Sequence, residues 1–149
     1  MIPISTPKFV LLAEDNQDDE ILTLHAFTEN KIANEIIVVR DGSEALDFFF
    51  RDTARPLPFL TLLDLNLPKV SGLEVLRRLR STERTKLLPV VVLTTSAEEQ
   101  DIVQSYSLGC NSYIRKPVDM KQFVSIIGQL GLYWLILNES PPRSGKQLV

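Results

Sequence analysis

Charged side chains directly follow three short apolar runs in this chain. The runs cover residues 9–13, 59–63 and 111–115, and the charged residues that follow them are Glu14, Asp15, Asp64 and Lys116. Each run has the length of a buried strand, and parallel strands bring their carboxyl ends to one sheet edge, where α/β proteins bind ligands. The four side chains are therefore predicted to share a pocket. Because crowded carboxylates repel one another, a hard cation such as Mg²⁺ is expected among them.

Apolar runs alternate with amphipathic stretches along the chain, and this alternation predicts five βα units around a mainly parallel sheet. The strands are predicted at residues 8–13, 35–39, 59–63, 89–93 and 111–115. An amphipathic stretch with helical spacing follows each of them. No internal repeat or second domain is visible, so the sequence predicts a single α/β domain.

Capping residues mark where several of the predicted helices begin and end. Asn16 and Asp119 are expected to cap the first and fifth helices. Ser71 and Ser96 each stand three residues before a glutamate, which is the spacing of a capping box, so they are expected to open the third and fourth helices. Gly109 is expected to end the fourth helix. The fifth helix is predicted to run from about residue 119 to 130.

Length and charge limit the class of protein further. A chain of 149 residues is long enough to form a core without disulfides or structural metals, and its single cysteine, Cys110, cannot form an internal disulfide. The net charge of −3 argues against broad binding to nucleic acids or anionic membranes. No secretory signal is visible, and the apolar run 130–137 falls short of a transmembrane length. These features predict a soluble, cytoplasmic protein.

Each of the four charges also has an ordinary local explanation. The acidic stretch 14–20 is typical of a solvated loop that leads into a helix N-terminus. Asp64 fits a turn before Pro68, and Lys116 fits an exposed loop before Pro117. The coincidence of all four with predicted strand ends favours a functional site.

The order and spacing of these residues resemble the receiver domain of two-component response regulators over nearly the whole chain. The resemblance is carried by Glu14-Asp15, the segment 64–68 with Gly72, Thr94-Thr95-Ser96, Tyr113 and Lys116-Pro117. It implies a flavodoxin-like (βα)5 fold, in which a doubly wound parallel sheet has the strand order 2-1-3-4-5.

The resemblance also implies a chemistry for the pocket. Asp64 would be the phosphoacceptor, a carboxylate nucleophile that takes a phosphoryl group from the phosphohistidine of a sensor histidine kinase. Mg²⁺, for which Mn²⁺ could substitute, would be held by the carboxylates of Glu14, Asp15 and Asp64 and by the backbone carbonyl of Asn66. Such a protein is a signalling protein and not an enzyme, although it promotes its own phosphotransfer and dephosphorylation.

Three further residues receive roles from the same resemblance. Lys116 would pair with Asp64 and then with a phosphoryl oxygen, and Thr94 would donate its hydroxyl to that phosphoryl group. Tyr113 would change rotamer as the loop after the fourth strand moves inward, so Thr94 and Tyr113 would form the switch. Glu14 departs from the pattern, because an aspartate often stands at that position.

Other functions with a similar fold or chemistry remain as alternatives. The chain could be an intermediate receiver of a phosphorelay that passes its phosphoryl group to a histidine phosphotransfer protein. Haloacid-dehalogenase-like phosphatases carry a second aspartate two residues after the nucleophile, whereas this chain has Asn66 there. A nucleotide- or flavin-binding protein is disfavoured because the first βα turn is acidic and lacks glycine.

The C-terminal region predicts how the protein assembles. The receiver domain is expected to span residues 1–132 with a core at about 8–131, followed at 133–149 by an aromatic segment and a flexible tail. This segment is similar to that of small response regulators paired with cyanobacterial phytochrome histidine kinases. Its consecutive apolar residues 133–137 are expected to extend a homodimer interface made by the fourth helix, fifth strand and fifth helix. The alternative is that they cover the sheet edge or a helix of the same chain.

Two reactive residue types outside the pocket are interpreted as structural. His25 falls inside the first predicted helix, away from the acidic residues, and is a poor candidate for a phosphodonor. Cys110 precedes the fifth strand and is expected to pack in the core, as free cysteines commonly do.

Overall fold

Strands and helices alternate along the chain in the structure, a computed structural model that describes residues 8–116 and 119–141. The predicted tail beyond residue 141 and Pro117 of the sequence motif lie outside the described residues. The strands are β1 Phe9–Ala13, β2 Glu35–Val39, β3 Leu60–Leu63, β4 Val90–Thr94 and β5 Ser112–Arg115. All strand pairs are parallel and the order is β2-β1-β3-β4-β5. The expected flavodoxin-like strand order is confirmed.

A helix follows each strand. The helices are α1 Gln17–Glu29, α2 Gly42–Phe50, α3 Gly72–Arg80, α4 Glu99–Ser107 and α5 Met120–Leu130, and α5 continues into a C-terminal π-helix, Gly131–Leu137. Two buried clusters lie on opposite faces of the sheet. Phe9 and Leu11 of β1 belong to the cluster with Phe49 of α2 and Leu76 of α3, whereas Val10 belongs to the cluster with α1 and α5. The alternation along β1 therefore gives a doubly wound sheet that is covered on both faces.

The predicted caps of α1, α3 and α5 are confirmed. The Asn16 side chain accepts from the N–H of Asp19 at 2.9 Å, Ser71 Oγ accepts from Glu74 at 3.2 Å, and Asp119 accepts from Lys121 at 2.8 Å. These bonds satisfy N–H groups that have no partner inside the first helical turn. Gly109 also follows the end of α4 with a φ of +91°, a conformation in which a side chain would be strained.

The predicted capping box at Ser96 is wrong. The N-cap of α4 is Glu98, which makes no side-chain capping bond, and the helix begins at Glu99. Ser96 Oγ instead donates to Asp101 at 2.6 Å, and the backbone of Ser96 is held by Thr94 and Tyr113. These contacts keep Ser96 in the loop between β4 and α4.

The fifth helix runs further than the sequence predicts. Gly131 adopts helical angles, with φ −61° and ψ −46°, so it does not stop the helix. Residues Met120–Leu137 form one helical stretch of 18 residues with a mean hydropathy of 1.3, which is long and apolar enough to cross a membrane by length and composition alone. This corrects the prediction that the late apolar run is too short, since that prediction counted only residues 130–137.

The C-terminal π-helix has one packed side and one exposed side. Trp134 and Leu135 are buried in the same cluster as α1 and α5, so they cover the core of their own chain. The other bulky residues of the π-helix are more than half exposed; they are Leu132, Tyr133, Ile136 and Leu137. Only part of the segment is therefore available for contact with another molecule.

Candidate functional site

The carboxyl ends of β1, β3, β4 and β5 meet at one edge of the sheet. The N–H of Asp64 donates to the carbonyl of Ala13 at 3.1 Å, and the N–H of Lys116 donates to the carbonyl of Thr94 at 2.7 Å. Because these bonds extend the strand pairing by one residue, they fix the backbone from which each charged side chain projects. The structure thus brings together residues that lie more than one hundred positions apart in sequence.

Asp64 lies at the centre of this pocket, and both of its carboxylate oxygens accept hydrogen bonds. Oδ1 accepts from the Thr94 hydroxyl at 2.9 Å and from the N–H of Asn66 at 3.0 Å. Oδ2 accepts from the Lys116 ammonium at 3.0 Å. The side chain is 7% exposed, so the carboxylate is almost completely enclosed by these partners.

Lys116 contacts two further carboxylates. Its Nζ donates to Asp19 Oδ2 at 2.9 Å and to Glu14 Oε1, in addition to Asp64. The sequence prediction placed Lys116 beside Asp64 but did not single out Asp19, which belongs to the acidic stretch 14–20 that leads into the first helix. The position of Asp19 in the first turn of the helix that follows β1 was the available signal, because that turn starts directly above the carboxyl edge of the sheet.

The acidic residues are arranged as a cation site. One carboxylate oxygen from each of Glu14, Asp15 and Asp64 can be chosen so that all three lie within 4.8 Å of one another. Glu14 and Asp64 are buried and Asp15 is exposed, so the group opens to solvent on the side of Asp15. Oxygen ligands at this spacing suit a hard divalent cation, which would also neutralise carboxylates that repel one another.

The buried charges shift the protonation equilibria of the pocket. Burial raises the pKa of Glu14 to about 7, against the opposing effect of Lys116. Burial also opposes ionisation of Asp64, but the Asn66 N–H and the charge of Lys116 hold the pKa of that carboxyl below its ordinary value. Burial disfavours the charge on Lys116, yet its hydrogen bond to Glu14 and the charge of Asp64 raise its pKa. Lys116 is therefore a fixed positive charge and Asp64 an ionised carboxylate at neutral pH.

A chain of hydrogen bonds leads from Asp64 to the edge strand β5. The Thr94 hydroxyl donates to Asp64 and accepts from the N–H of Ser96 at 3.3 Å. The carbonyl of Ser96 accepts from the Tyr113 hydroxyl at 2.9 Å. Ser96, which the sequence assigned to a helix cap, thus connects Thr94 and Tyr113.

The remaining reactive side chains lie away from the pocket. His25 is on α1, with Nε2 3.4 Å from Glu29 Oε1 and about half of its side chain exposed. Cys110 is buried in the cluster that contains α2 and α3, and burial raises the pKa of its thiol. Neither residue faces the acidic group.

The family model of the response regulator receiver domain matches residues 10–128. The chain therefore belongs to the receiver domain family, whose members are signalling proteins. Among curated relatives, it is 40% identical to the probable methanogenesis regulatory protein FilR2 of Methanothrix harundinacea over 137 residues, which cover 91% of this chain and 88% of that protein. It is 39% identical to the response regulator Rcp1 of Synechocystis sp. over 132 residues, which cover 87% of this chain and 90% of Rcp1.

Solved structures show the same fold. The phosphorylated cyanobacterial phytochrome response regulator RcpA superposes with a TM-score of 0.85 at 38% identity, covering 92% of this chain and all of that one. The Mn²⁺-bound form of Rcp1 superposes with a TM-score of 0.84 at 37% identity, covering 91% of this chain and all of that one. The chain is thus similar to response regulators of cyanobacterial phytochromes, and the receiver fold inferred from the sequence is confirmed.

Proposed function

We propose that the protein accepts a phosphoryl group on Asp64 from a sensor histidine kinase. The observation that carries the proposal is the environment of Asp64, an ionised and nearly buried carboxylate with Lys116 on one oxygen and Thr94 on the other. Lys116 supplies a positive charge and Thr94 a hydroxyl donor beside the position that a transferred phosphoryl group would occupy. Both groups stand at the ends of neighbouring strands, so their backbones are already in position for the transfer.

The transfer is a displacement at phosphorus. A carboxylate oxygen of Asp64 forms the new O–P bond while the P–N bond to the donor histidine breaks, and the electron pair of that bond stays on the imidazole. Negative charge spreads over the phosphoryl oxygens during this step, and the Lys116 ammonium is a compact charge suited to stabilise it. The resulting acyl phosphate, a mixed anhydride, removes the charge of the Asp64 carboxylate but places a dianionic group in the same pocket.

Mg²⁺ is the proposed cation, with Mn²⁺ as a substitute. Glu14, Asp15 and Asp64 would provide carboxylate ligands, and the backbone carbonyl of Asn66 would provide another. The clustering of their carboxylate oxygens supports this set, and the similar protein Rcp1 has a structure in a Mn²⁺-bound form. When bound, the ion offsets the repulsion among the carboxylates and orients the phosphoryl oxygens.

Thr94 and Tyr113 are proposed to report phosphorylation to the surface. A phosphoryl oxygen can take the Thr94 hydroxyl from Asp64, and any movement of Thr94 is passed to Ser96 through the bond between them. Ser96 in turn holds the Tyr113 hydroxyl at the β5 edge. A local change of charge would thereby alter the loop before α4 and the rotamer of Tyr113.

The proposed donor is a histidine kinase of the phytochrome type, on the basis of the similarity to Rcp1 and RcpA. FilR2 is a comparably close relative with a different named role, so the family alone does not define the input signal. Onward transfer to a histidine phosphotransfer protein is the second candidate function, since the same acyl phosphate serves both. A phosphatase of the haloacid-dehalogenase type is disfavoured, because Asn66 cannot act as the general acid.

The proposed setting is the cytoplasm, with other proteins as partners. The net charge of −3 favours protein partners over nucleic acids or anionic membranes. A homodimer through α4, β5, α5 and the exposed side of the C-terminal π-helix is proposed as the assembled form. The exposed apolar residues of that π-helix support this assignment.

Phosphotransfer from a panel of purified, autophosphorylated histidine kinases, including phytochromes, tests the function. The wild-type chain should become labelled in the presence of Mg²⁺, whereas the Asp64→Asn variant should not. Asp47→Asn is the matched control, because Asp47 is an exposed aspartate of α2 outside the pocket. Labelling of Asp64→Asn at the wild-type rate would contradict the proposal.

A further inference from the structure

The Lys116 ammonium has no donor to spare in the unphosphorylated chain. An ammonium group carries three N–H donors, and here they face Glu14, Asp19 at 2.9 Å and Asp64 at 3.0 Å. The lysine side chain is 5% exposed, so water has little access to it. A phosphoryl oxygen that arrives on Asp64 can therefore bind Lys116 fully only if one of these carboxylates releases its N–H.

The free-energy cost of losing the hydrogen bond from Lys116 differs among the three carboxylates. Glu14 is 1% exposed, so water cannot replace the ammonium as its hydrogen-bond partner. Asp64 is almost as buried and carries the incoming group itself. The side chain of Asp19 is 31% exposed, so water can replace the ammonium there. The N–H that faces Asp19 is the one released at the smallest cost.

The backbone of Asp19 is fixed independently of this contact. Its N–H donates to the Asn16 side chain at 2.9 Å, and its carbonyl accepts from the Thr23 hydroxyl at 2.8 Å. The first turn of α1 therefore keeps the backbone of Asp19 at the pocket whether or not Lys116 is bound to its carboxylate. Because of this arrangement, Asp19 can release the lysine and take it back without a change in the fold.

We propose that Asp19 is a positioning residue for Lys116 that competes with the phosphoryl group. Its carboxylate holds one N–H of the lysine in the unphosphorylated chain and yields that N–H to a phosphoryl oxygen on Asp64. The inference rests on the proposed function of Asp64. It assigns to Asp19 the role of lowering the affinity of Lys116 for the phosphoryl group. Neither the receiver motif nor the proposed cation site includes Asp19.

Binding of beryllofluoride, a phosphoryl mimic, tests this role by ¹⁹F NMR titration at saturating Mg²⁺. Asp19→Asn removes the competing charge and should bind about fivefold more tightly, the change expected for loss of a partly exposed ion pair of about 1 kcal/mol. Asp18→Asn is the matched control. Asp18 is an exposed acid in the same helical turn, and its substitution removes the same charge. Asp19→Glu keeps a carboxylate near Lys116 and should restore the wild-type affinity.

Each outcome of the titration decides the proposal. Equal changes in beryllofluoride affinity in Asp19→Asn and Asp18→Asn would show that the effect comes from net charge alone, and they would overturn the proposal. Weaker or unchanged binding in Asp19→Asn, or an Asp19→Glu variant that behaves like Asp19→Asn, would overturn it as well. If the wild-type chain neither binds beryllofluoride nor accepts a phosphoryl group, the proposed function fails together with this inference, whereas a failure confined to the variants leaves that function intact.

Discussion

At the scale of single residues, the pocket contains more negative than positive charge. Lys116 is shared by Glu14, Asp19 and Asp64, and Asp15 adds a further carboxylate at the solvent side. This imbalance suits a site that binds a divalent cation before it receives a phosphoryl group. In the proposed function the roles of the residues are separate, since Lys116 would serve the phosphoryl group and Asp15 the cation.

We expect Lys116→Ala to keep its affinity for Mg²⁺ but lose the conformational response to beryllofluoride. Removal of the ammonium leaves the carboxylates available to the cation, but it removes the charged partner of the phosphoryl oxygens. Isothermal titration with Mg²⁺ and tyrosine fluorescence with beryllofluoride measure the two properties. Lys121→Ala, at an exposed lysine of α5, is the control. A full fluorescence response in Lys116→Ala would contradict the assigned role.

We expect Asp15→Asn to weaken Mg²⁺ binding, because the amide offers a neutral oxygen in place of a charged ligand. The loss should be at least roughly tenfold, the smallest effect usual when even an outer partner of a metal ligand is removed. Isothermal titration measures it, and Asp18→Asn controls for the general loss of charge. An affinity equal to that of the control would exclude Asp15 from the cation site.

The sequence predicted the pocket residues that lie directly after strand ends. It missed the contacts of Asp19, in the first turn of α1, and of Ser96, in the loop before α4. Glu14 and Asp64 could be assigned because a strand end fixes where the next residue points. The place of Asp19 in the first helical turn indicated that it lies near this edge, but its contact with Lys116 depends on the rotation of α1 about its axis, which the sequence does not specify. Ser96 was misassigned because its spacing to Glu99 matches a capping box, while its backbone contact with Tyr113 is tertiary.

At the scale of secondary-structure elements, Arg80 connects the end of α3 to the loops at the opposite edge of the sheet from the pocket. Its guanidinium donates to the carbonyls of Gly109 at 2.9 Å and Lys86 at 3.1 Å, and to Asn111 Oδ1 at 3.2 Å. The same Asn111 oxygen accepts from the N–H of Val90 at 2.8 Å. Arg80 therefore holds together the loops that lead into β4 and β5, the strands that carry Thr94 and Tyr113.

We expect Arg80→Met to lower the free energy of unfolding by about 2 kcal/mol, because three hydrogen bonds from a charged donor are lost. Urea denaturation followed by circular dichroism measures the change. Arg77→Met is the control, since Arg77 is an exposed arginine of α3 whose partner is Glu74. A loss in Arg80→Met no larger than in this control would show that the loop contacts contribute little.

The contact between α5 and α1 explains why the fifth helix contains Gly128. The Asn30 side chain donates to the carbonyl of Val124 at 2.8 Å, and a Cβ on Gly128 would collide with the Asn30 amide. Gly131 likewise faces Ile32 at close range. Sequence rules treat glycine as a helix stop, so the continuation into the π-helix could not be predicted without this contact.

We expect Gly128→Ala to destabilise the protein by about 1–3 kcal/mol, the usual cost of overpacking, although alanine is the better helix former. Ser125→Ala is the matched control, because Ser125 is exposed on the same helix, and it should be neutral or slightly stabilising. Thermal unfolding of the two variants gives the comparison. A stabilised Gly128→Ala would indicate that Asn30 moves away at no cost.

At the scale of the whole molecule, the C-terminal π-helix both completes the core and exposes an apolar surface. Trp134 and Leu135 pack on the domain, so a truncation before them would expose the core as well as remove the surface. Substitution of the exposed residues separates these effects. Ile136 and Leu137 are suited to this purpose, since they are 71% and 66% exposed.

We expect the wild-type chain to be a dimer at micromolar concentration and the double variant Ile136→Glu, Leu137→Glu to be a monomer of unchanged thermal stability. Charged side chains cannot be buried unpaired in an apolar interface. Light scattering with and without beryllofluoride measures the mass and its dependence on activation. Leu87→Glu, at an exposed leucine outside this surface, is the control. A dimer that persists in the double variant would remove the π-helix from the interface.

The alternation of strands and helices was predictable for the whole chain, because each strand is a short apolar run and most helices begin at a capping residue. The strand order was inferred from the resemblance to receiver domains, since local patterns do not specify which strands are neighbours. The extent of the last helix was not predictable. It depends on Trp134 and Leu135 finding space beside α1 and α5, which is a property of the assembled fold.

Location of the phosphoryl group on the wild-type chain distinguishes Asp64 from every other possible acceptor. After phosphorylation by a cognate kinase, borohydride reduces an aspartyl phosphate to homoserine, and peptide mass spectrometry identifies the converted residue. We expect homoserine at position 64, dependent on Mg²⁺ and absent without the kinase. Homoserine at another aspartate, or a phosphorylated chain in which Asp64 remains unconverted, would contradict it.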